Sequence, residues 1–245
     1  MKTLVLGDIH GRTIWKDIIE KENPDKVIFL GDYVSTHEGI SSDQQIEELY
    51  AILDYKDNNP DKVILLRGNH DMQHLGFYWA SCSGLNMRVL QYMSTNDVKG
   101  WYLSLTQWVY IDEELKTIFS HAGVSTVWMD KIAKITDVHE INNLEPSEKF
   151  GFCDNNPFDC CGESETQPPT WIRPYTLATC NVPGWDQVVG HTPQPGISKM
   201  YKNCKGKHII WLCDALGSGN YLTIEDGEFI PKKCNEKEGK QEILR

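Results

Sequence analysis

Three short apolar runs near the N-terminus each end in a glycine and a cluster of polar side chains. The runs cover residues 3–6, 26–30 and 62–66. Runs of this length suit strands that are buried on both faces of a parallel sheet. The clusters that follow them are Gly7-Asp8-Ile9-His10-Gly11, Gly31-Asp32-Tyr33 and Gly68-Asn69-His70-Asp71.

The segments between these runs have the apolar spacing of helices. Thr13 is a candidate helix cap, and Ser42 with Gln45 has the pattern of a capping box. The order strand, helix, strand, helix, strand predicts an α/β fold with parallel strands and right-handed crossovers. Residues 125–135 are also predicted to be helical. Further strands are predicted at 108–111, 115–120, 187–189, 208–213 and 221–225.

Two segments lack this periodicity. Residues 146–170 contain four prolines and three cysteines, and we interpret them as an irregular insertion or lid. The three cysteines (153, 160 and 161) lack a paired C-x₂-C knuckle, which argues against a structural zinc site. Residues 235–245 are predicted to be a charged tail.

Composition excludes several classes of protein. The chain has 245 residues, of which 40% are hydrophobic and 24% charged, as in ordinary globular domains. Its net charge of −11 argues against binding to extended nucleic acid. No apolar stretch is long enough to cross a bilayer, and the N-terminus lacks the pattern of a signal peptide. We therefore expect a cytoplasmic protein with reduced cysteines.

The polar clusters are expected to meet at one place. Further clusters follow the predicted strands at His121-Ala122-Gly123 and Gly190-His191-Thr192-Pro193. In an open parallel sheet the ligand site lies beyond the carboxyl ends of the strands. Carboxylate, imidazole and amide oxygen ligands suit Mn²⁺, Fe or Zn²⁺, and two such ions can catalyse phosphoester hydrolysis. The side chains expected there are Asp8, His10, Asp32, Asn69, His70, His121 and His191.

These five clusters, in this order, resemble the calcineurin-like metallophosphoesterase superfamily. Three elements are similar to its branch of bacterial and phage serine/threonine phosphoprotein phosphatases. They are Leu65-Leu66-Arg67-Gly68-Asn69-His70-Asp71, His121-Ala122-Gly123 and Trp171-Ile172-Arg173-Pro174. The resemblance implies a four-layer α/β/β/α sandwich, with residues 1–234 forming one metallophosphoesterase domain.

The resemblance also implies roles for individual residues. Asp8 and His10 would bind the first metal ion, and Asp32 would bridge both ions. His70 would protonate the leaving group after attack by a metal-bridging hydroxide, and Arg173 would hold the phosphate. The implied ligands of the second ion are Asn69, His121 and His191, and Asn69 would also contact the substrate phosphate.

One motif departs from the family. After Val34 the family usually has Asp-Arg-Gly, in which the aspartate orients the acid histidine and the arginine binds phosphate. This chain has Ser35-Thr36-His37-Glu38-Gly39 instead. Glu38 and Asp71 are therefore the candidates to orient His70, and His37 is a candidate for a substrate contact.

The sequence thus predicts a two-metal phosphoesterase, with Mn²⁺ as the preferred ion. The first hypothesis is a serine/threonine-type protein phosphatase acting on a phosphorylated protein or a small phosphoester. The alternatives are a diadenosine-tetraphosphatase-like enzyme and a phosphoesterase of nucleic-acid ends. A metal-binding scaffold without turnover is the hypothesis from another class. The oligomeric state is not readable from the sequence.

Overall fold

The computed structural model describes residues 1–35, 38–153, 161–202 and 208–234. Its helices are α1 Ile14–Glu22, α2 Ser42–Asn58, α3 Asn69–His74, α4 Met87–Met93, α5 Asn96–Leu105, α6 Thr126–Trp128 and α7 Pro174–Cys180. Its strands are β1 Lys2–Leu6, β2 Lys26–Phe29, β3 Val63–Leu66, β4 Thr106–Gln107, β5 Val109–Asp112, β6 Thr117–Ser120, β7 Asp186–Val189, β8 Ser198–Lys202, β9 His208–Leu212, β10 Asn220–Glu225 and β11 Glu228–Lys233. Short 3₁₀ or π turns occupy Met129–Ala133, Val138–Asn143, Glu148–Phe150 and Leu216–Ser218.

The strands form two sheets. The first sheet has the order β11-β10-β1-β2-β3-β4, and its central strands β1 to β4 are parallel. The second sheet has the order β5-β6-β7-β9-β8, with β6, β7 and β9 parallel. The predicted parallel β-α-β-α-β order is therefore confirmed, and the later chain adds a second sheet to it.

The apolar runs are continuous because successive side chains of a strand point to opposite faces of the sheet, and both faces are buried. On β2, Val27 and Phe29 pack with the helices, whereas Ile28 packs in a separate cluster with Phe119 and Trp211 of the second sheet. A strand buried on both faces needs apolar residues at every position. A third cluster lies between the second sheet and α7. The sequence prediction of an α/β sandwich, with two sheets flanked by helices, is confirmed.

The start of α2 differs by one residue from the prediction. Ser41, not Ser42, is the N-cap, and its hydroxyl accepts a hydrogen bond from the amide of Gln44. The side chain of Gln45 turns inward, where its Oε1 accepts from the amide of Ser35. The buried side chain of Gln45 therefore holds the backbone at Ser35 and does not cap the N-terminus of α2.

The described parts of the 146–170 segment contribute to the core. Phe150 is buried and stacks on Trp108, with ring centroids 3.6 Å apart. Gln167 is also buried, and Thr170 donates a hydrogen bond to the carbonyl of Phe150. Whether this segment also acts as a lid stays a prediction, and the predicted tail at 235–245 lies outside the described residues. No helix of the described ranges is long and apolar enough to cross a membrane.

Candidate active site

The polar clusters of both sheets meet at the ends of their strands. Asp8 follows β1 and Asp32 follows β2, whereas His121 follows β6 and His191 follows β7. The two sheets are packed face to face, which brings these four strand ends to one place. Asn69, the first residue of α3, joins them directly after β3.

Three of the site residues have left-handed backbones. The φ angles are +49° at His10, +51° at Asp32 and +62° at His191. Residues other than glycine rarely adopt this conformation, and such strain concentrates at functional sites.

The side chains form two groups that share one carboxylate. Ligand atoms of Asp8, His10 and Asp32 lie within 4.8 Å of one another. Those of Asp32, His121 and His191 satisfy the same limit. Asp32 therefore stands where a carboxylate would have to lie in order to bridge two cations.

Backbone carbonyls fix the orientation of two imidazoles. The Nδ1 atom of His121 lies 2.9 Å from the carbonyl oxygen of Leu30, and Nδ1 of His10 lies 3.1 Å from that of Val34. Because each carbonyl accepts the Nδ1 hydrogen, Nε2 of each ring faces the cluster. A hydrogen bond from the nitrogen that does not face the ion is typical of histidines that bind metal ions in proteins.

Asn69 links the two histidines of the second sheet. Its Oδ1 atom lies 2.9 Å from Nε2 of His121 and 3.1 Å from Nδ1 of His191. The backbone amide of His191 donates to Oδ1 of Asp8 over 3.0 Å. The Nε2 atom of His191 is buried without a hydrogen-bond partner in the described part of the chain. All six residues predicted as metal ligands are thus brought together.

The buried carboxylates create a need for positive charge. Burial, together with the charge of Asp214, raises the pKa of Asp8 well above its usual range. Burial opposes protonation of His121, yet Asp32 and Asp8 raise the pKa of that imidazole to about 10. Burial by itself would raise the pKa of Asp32, but the charges of His121 and His70 lower it below its usual range. Divalent cations would satisfy this charge requirement, and the carboxylate, imidazole and amide donors fit them.

His70 lies beside this cluster at the cavity wall. Its amide donates to Oδ1 of Asp32 over 3.0 Å, and its Nε2 lies 4.0 Å from Oδ2 of the same carboxylate. The other ring nitrogen, Nδ1, lies 3.4 Å from the sulfur of Cys82. Burial lowers the pKa of His70, and its ring keeps some exposure to the cavity.

Neither candidate carboxylate contacts the His70 side chain. Asp71 accepts hydrogen bonds from the backbone amides of Asp32, Tyr33 and Gly68, and from the hydroxyl of Tyr102. These contacts give Asp71 a structural role, because they hold the loop that carries Asp32. The catalytic role that the sequence suggested for Asp71 has no contact to support it.

The carboxylate of Glu38 is directed at Arg12 and not at His70. Its carboxylate pairs with both Nε and Nη2 of Arg12, while Nη1 of Arg12 donates to the carbonyls of Asp8 and Ile9. The sequence reasoning did not identify Arg12, because an arginine after Gly11 has no distinctive spacing. His37, the other candidate in this motif, lies outside the described residues.

A cavity of about 530 Å³ joins the cluster to the surface. Arg173 and Arg12 both line it, as do Trp171 and Asp214. The guanidinium of Arg173 is held by the carbonyl of Cys161, 2.7 Å from Nε, and by the hydroxyl of Thr192, 3.1 Å from Nη1. Arg173 therefore places positive charge beside a cluster that suits cations, whereas the charge of Arg12 is compensated by Glu38. An arginine next to a cation site is the charge pattern of a site for anionic substrates.

The sandwich of two sheets, with carboxylates and imidazoles at its strand ends, defines a class of α/β proteins with a metal-binding site between the sheets. A family model described as calcineurin-like phosphoesterase matches residues 1–212. The chain therefore belongs to the calcineurin-like phosphoesterase family, whose members depend on divalent metal ions. The resemblance inferred from the sequence motifs is confirmed.

Two relatives whose names state an activity match about half of this chain. The symmetrical bis(5'-nucleosyl)-tetraphosphatase of Buchnera aphidicola is 28% identical over 55% of this chain and 49% of its own length. The serine/threonine-protein phosphatase PP2A-like PPG1 of Saccharomyces cerevisiae is 32% identical over 56% of this chain and 37% of its own length. The matches thus span half or less of these relatives.

Solved structures support the fold. The cold-active protein-tyrosine phosphatase of a psychrophilic Shewanella species superimposes with a TM-score of 0.61. The match covers 95% of this chain and 77% of that protein, at 19% sequence identity. Identity at this level is evidence for a shared fold and not for a shared substrate.

Proposed function

We propose that this protein is a two-metal phosphoesterase that hydrolyses phosphomonoesters, with phosphorylated serine or threonine as its main substrate class. The observation that carries the proposal is the pair of ligand groups sharing Asp32, with His70 and Arg173 in the same cavity. Two divalent ions, when bound, supply Lewis acidity and an activated water. We propose Mn²⁺ as the preferred ion.

The proposed ligand roles follow the two groups. Asp8 and His10 hold the first ion and Asp32 is shared by both, while Asn69, His121 and His191 hold the second. Each imidazole is kept in place by a hydrogen bond from its other nitrogen or by the packing around it. Fixed ligands reduce the rearrangement needed when ions bind.

His70 and Arg173 are proposed to act on the substrate. Arg173 holds phosphate oxygens through Nη2, because its Nε and Nη1 are already occupied by Cys161 and Thr192. His70 gives a proton from Nε2 to the leaving oxygen, since Nδ1 faces Cys82 and Nε2 faces Asp32. An alkoxide leaving group requires such a proton, and a placed general acid contributes about 10²- to 10⁴-fold.

The second candidate substrate is a dinucleoside tetraphosphate. Arg12 is the observation that favours it: its guanidinium lines the cavity, and a second phosphate would have to displace Glu38 in order to bind there. The relative from Buchnera aphidicola is named for this activity. We therefore keep both substrates in the test, together with a 2′,3′-cyclic phosphate for the nucleic-acid alternative.

The cellular setting remains a proposal as well. We propose residues 1–234 as one metallophosphoesterase domain and the cytoplasm as its location. The family match over residues 1–212 supports the domain.

The first experiment measures hydrolysis of p-nitrophenyl phosphate with and without Mn²⁺. We expect metal-dependent turnover by the wild type and a loss of at least about 100-fold in Asp32→Asn. His70→Asn should also lose activity, but less on this ester than on one with a poorer leaving group. His139→Asn is the matched control, because His139 is exposed, forms its ion pairs with Asp137 and Glu113, and does not line the cavity. Metal binding without turnover of any phosphoester would favour the scaffold hypothesis instead.

The second experiment compares substrates. A phosphoserine peptide, diadenosine tetraphosphate and the cyclic phosphate are offered to the wild type and to Arg12→Gln. A protein phosphatase should prefer the phosphoserine peptide, and Arg12→Gln should keep most of that preference. A preference for the tetraphosphate that disappears in Arg12→Gln would replace the first candidate with the second.

A further inference from the structure

The partner of the proposed acid histidine is a cysteine. The sulfur of Cys82 lies 3.4 Å from Nδ1 of His70, and both residues line the cavity. Among the described residues, no carboxylate lies within hydrogen-bond distance of that nitrogen. Asp71 and Glu38, the two acidic candidates, are engaged by backbone amides and by Arg12.

Buried side chains hold Cys82 in this position from both sides. We name residues 75–86, which connect α3 to α4, the 75–86 loop. Gln73 accepts a hydrogen bond from the amide of Cys82 over 2.6 Å, and its Nε2 donates to the carbonyl of Ser83 over 3.4 Å. His74 accepts from the amide of Asn86 over 3.0 Å. Both Gln73 and His74 are buried on the helix that carries His70, so loop and helix form one unit.

Ser35 provides a further anchor for the same loop. Its hydroxyl donates to the carbonyl of Gly84 over 2.9 Å, and its own amide is held by Gln45. Ser35 occupies the place of the aspartate that orients the acid histidine in related phosphatases. Its hydroxyl is directed to the 75–86 loop and not to His70, and the loop then presents Cys82 to the imidazole.

We propose that Cys82 is the positioning residue for His70, with its thiol against Nδ1 so that Nε2 points at the leaving oxygen. The inference rests on the proposed function, because it assigns a partner to the acid of that reaction. Cys82 itself does not touch the substrate in this role.

A thiol can keep this contact in both protonation states of the imidazole. When both ring nitrogens carry protons, Nδ1–H donates to the sulfur. After Nε2 has passed its proton to the leaving oxygen, Nδ1 retains its own proton and the same bond. In the resting tautomer with hydrogen on Nε2, the thiol S–H donates to Nδ1 instead. An alanine at this position offers neither interaction.

The test exploits the dependence of acid catalysis on the leaving group. Phenol has a pKa of about 10, so phenyl phosphate needs a proton donor more than p-nitrophenyl phosphate does. We expect Cys82→Ala to lower kcat about tenfold on phenyl phosphate and less than about threefold on p-nitrophenyl phosphate. Cys82→Ser should recover part of the loss, because a hydroxyl also donates and accepts.

Two further measurements separate positioning from other effects. The Nδ1 resonance of His70 is followed in ¹⁵N spectra of the Zn²⁺-loaded protein and assigned by its absence in His70→Asn. It should shift in Cys82→Ala and not in Cys234→Ala, a control cysteine outside the cavity. The Cys82 thiol also contacts the side chain of Asn69, so affinity for Mn²⁺ should fall in Cys82→Ala, but by less than kcat on phenyl phosphate does.

Several results would overturn the inference. Equal losses on both esters, an unmoved Nδ1 resonance, or a fall in Mn²⁺ affinity that parallels kcat would each exclude a positioning role. If the wild type hydrolyses neither ester, the proposed function fails. In that case the ¹⁵N spectrum still decides whether Cys82 contacts His70, so the two failures are distinguishable.

Discussion

Two glycines allow the backbone to approach the carboxylates of the site. A Cβ atom added at Gly68 would lie 2.1 Å from Oδ1 of Asp32, and one added at Gly190 would lie 2.3 Å from Oδ1 of Asp8. Real Cβ atoms do not approach other heavy atoms this closely. Each glycine therefore permits the contact that fixes a proposed metal ligand, and neither position tolerates even a methyl group without displacement of the carboxylate.

Gly68→Ala should therefore damage the proposed metal site. We expect the affinity for Mn²⁺ to fall by at least about tenfold, because supporting contacts of metal ligands have effects of that size. Calorimetric titration with Mn²⁺ measures it. Gly100→Ala is the control, since a Cβ there meets open space in the interior of α5 and should stabilise the protein by up to about 1 kcal/mol. Unchanged Mn²⁺ binding in Gly68→Ala would show that Asp32 can move without loss of the site.

At the scale of residues, the sequence predicted the proposed metal ligands but not the residues that contact them from distant positions. The proposed metal ligands follow apolar runs, so their meeting point could be inferred from strand geometry alone. Cys82 and Arg12 could not be found in this way. Their roles depend on how the 75–86 loop folds back and on the pairing of Arg12 with Glu38, which is 26 positions away. Sequence spacing carries no signal for such pairings.

At the scale of elements, the central strands were predictable, whereas the edge strands β8 and β11 were not. The strands β1 to β3 are continuous apolar runs because both of their faces are buried. Each of these two strands, β8 and β11, forms one edge of its sheet, and β4 and β5 form the other edges. Both β8 and β11 contain lysines, and β11 includes Pro231, which suits an edge where no amide is needed for pairing. Half-exposed edge strands lack the apolar pattern on which the prediction depended.

Phe150 provides a test of the 146–170 segment at this scale. Phe150→Ala should lower the free energy of unfolding by about 3–5 kcal/mol, because it removes a buried ring that stacks on Trp108. Urea unfolding measures the change, and Tyr78→Ala, at an exposed aromatic residue, should change stability far less. A variant with normal stability but an altered preference between phosphopeptide and aryl phosphate would support the lid interpretation instead.

At the scale of the molecule, the site depends on the packing of the two sheets. Asp8, Asp32 and Asn69 come from the first sheet, whereas His121 and His191 come from the second. The order of strands and helices predicted an α/β fold, but the division into two sheets followed from the family resemblance. Strand pairing between segments more than 60 residues apart leaves no local trace in the sequence, as between β6 and β7.

A buried ionic cluster closes the first sheet against α1. Glu22, at the end of α1, accepts hydrogen bonds from Tyr221 of β10 over 2.7 Å, Lys232 of β11 over 2.9 Å and Lys2 of β1 over 3.2 Å. Burial by itself would raise the pKa of Glu22, but these partners lower it from 4.5 to about 2. The folded protein therefore binds this proton less readily than the unfolded chain does.

The direction of the pH dependence follows from that difference. A carboxylate with a lowered folded-state pKa stabilises the protein at pH values above 4.5, and this contribution disappears as the pH falls from 4.5 to about 2. Glu22→Gln should thus be less stable than the wild type by roughly 2 kcal/mol at pH 7, and the difference should shrink below pH 4.5. Urea unfolding at pH 7, 5 and 3 measures it, with Glu20→Gln on the exposed face of α1 as the control. A difference that stays constant across this range would mean that Glu22 stabilises the fold through packing, and not through its charge.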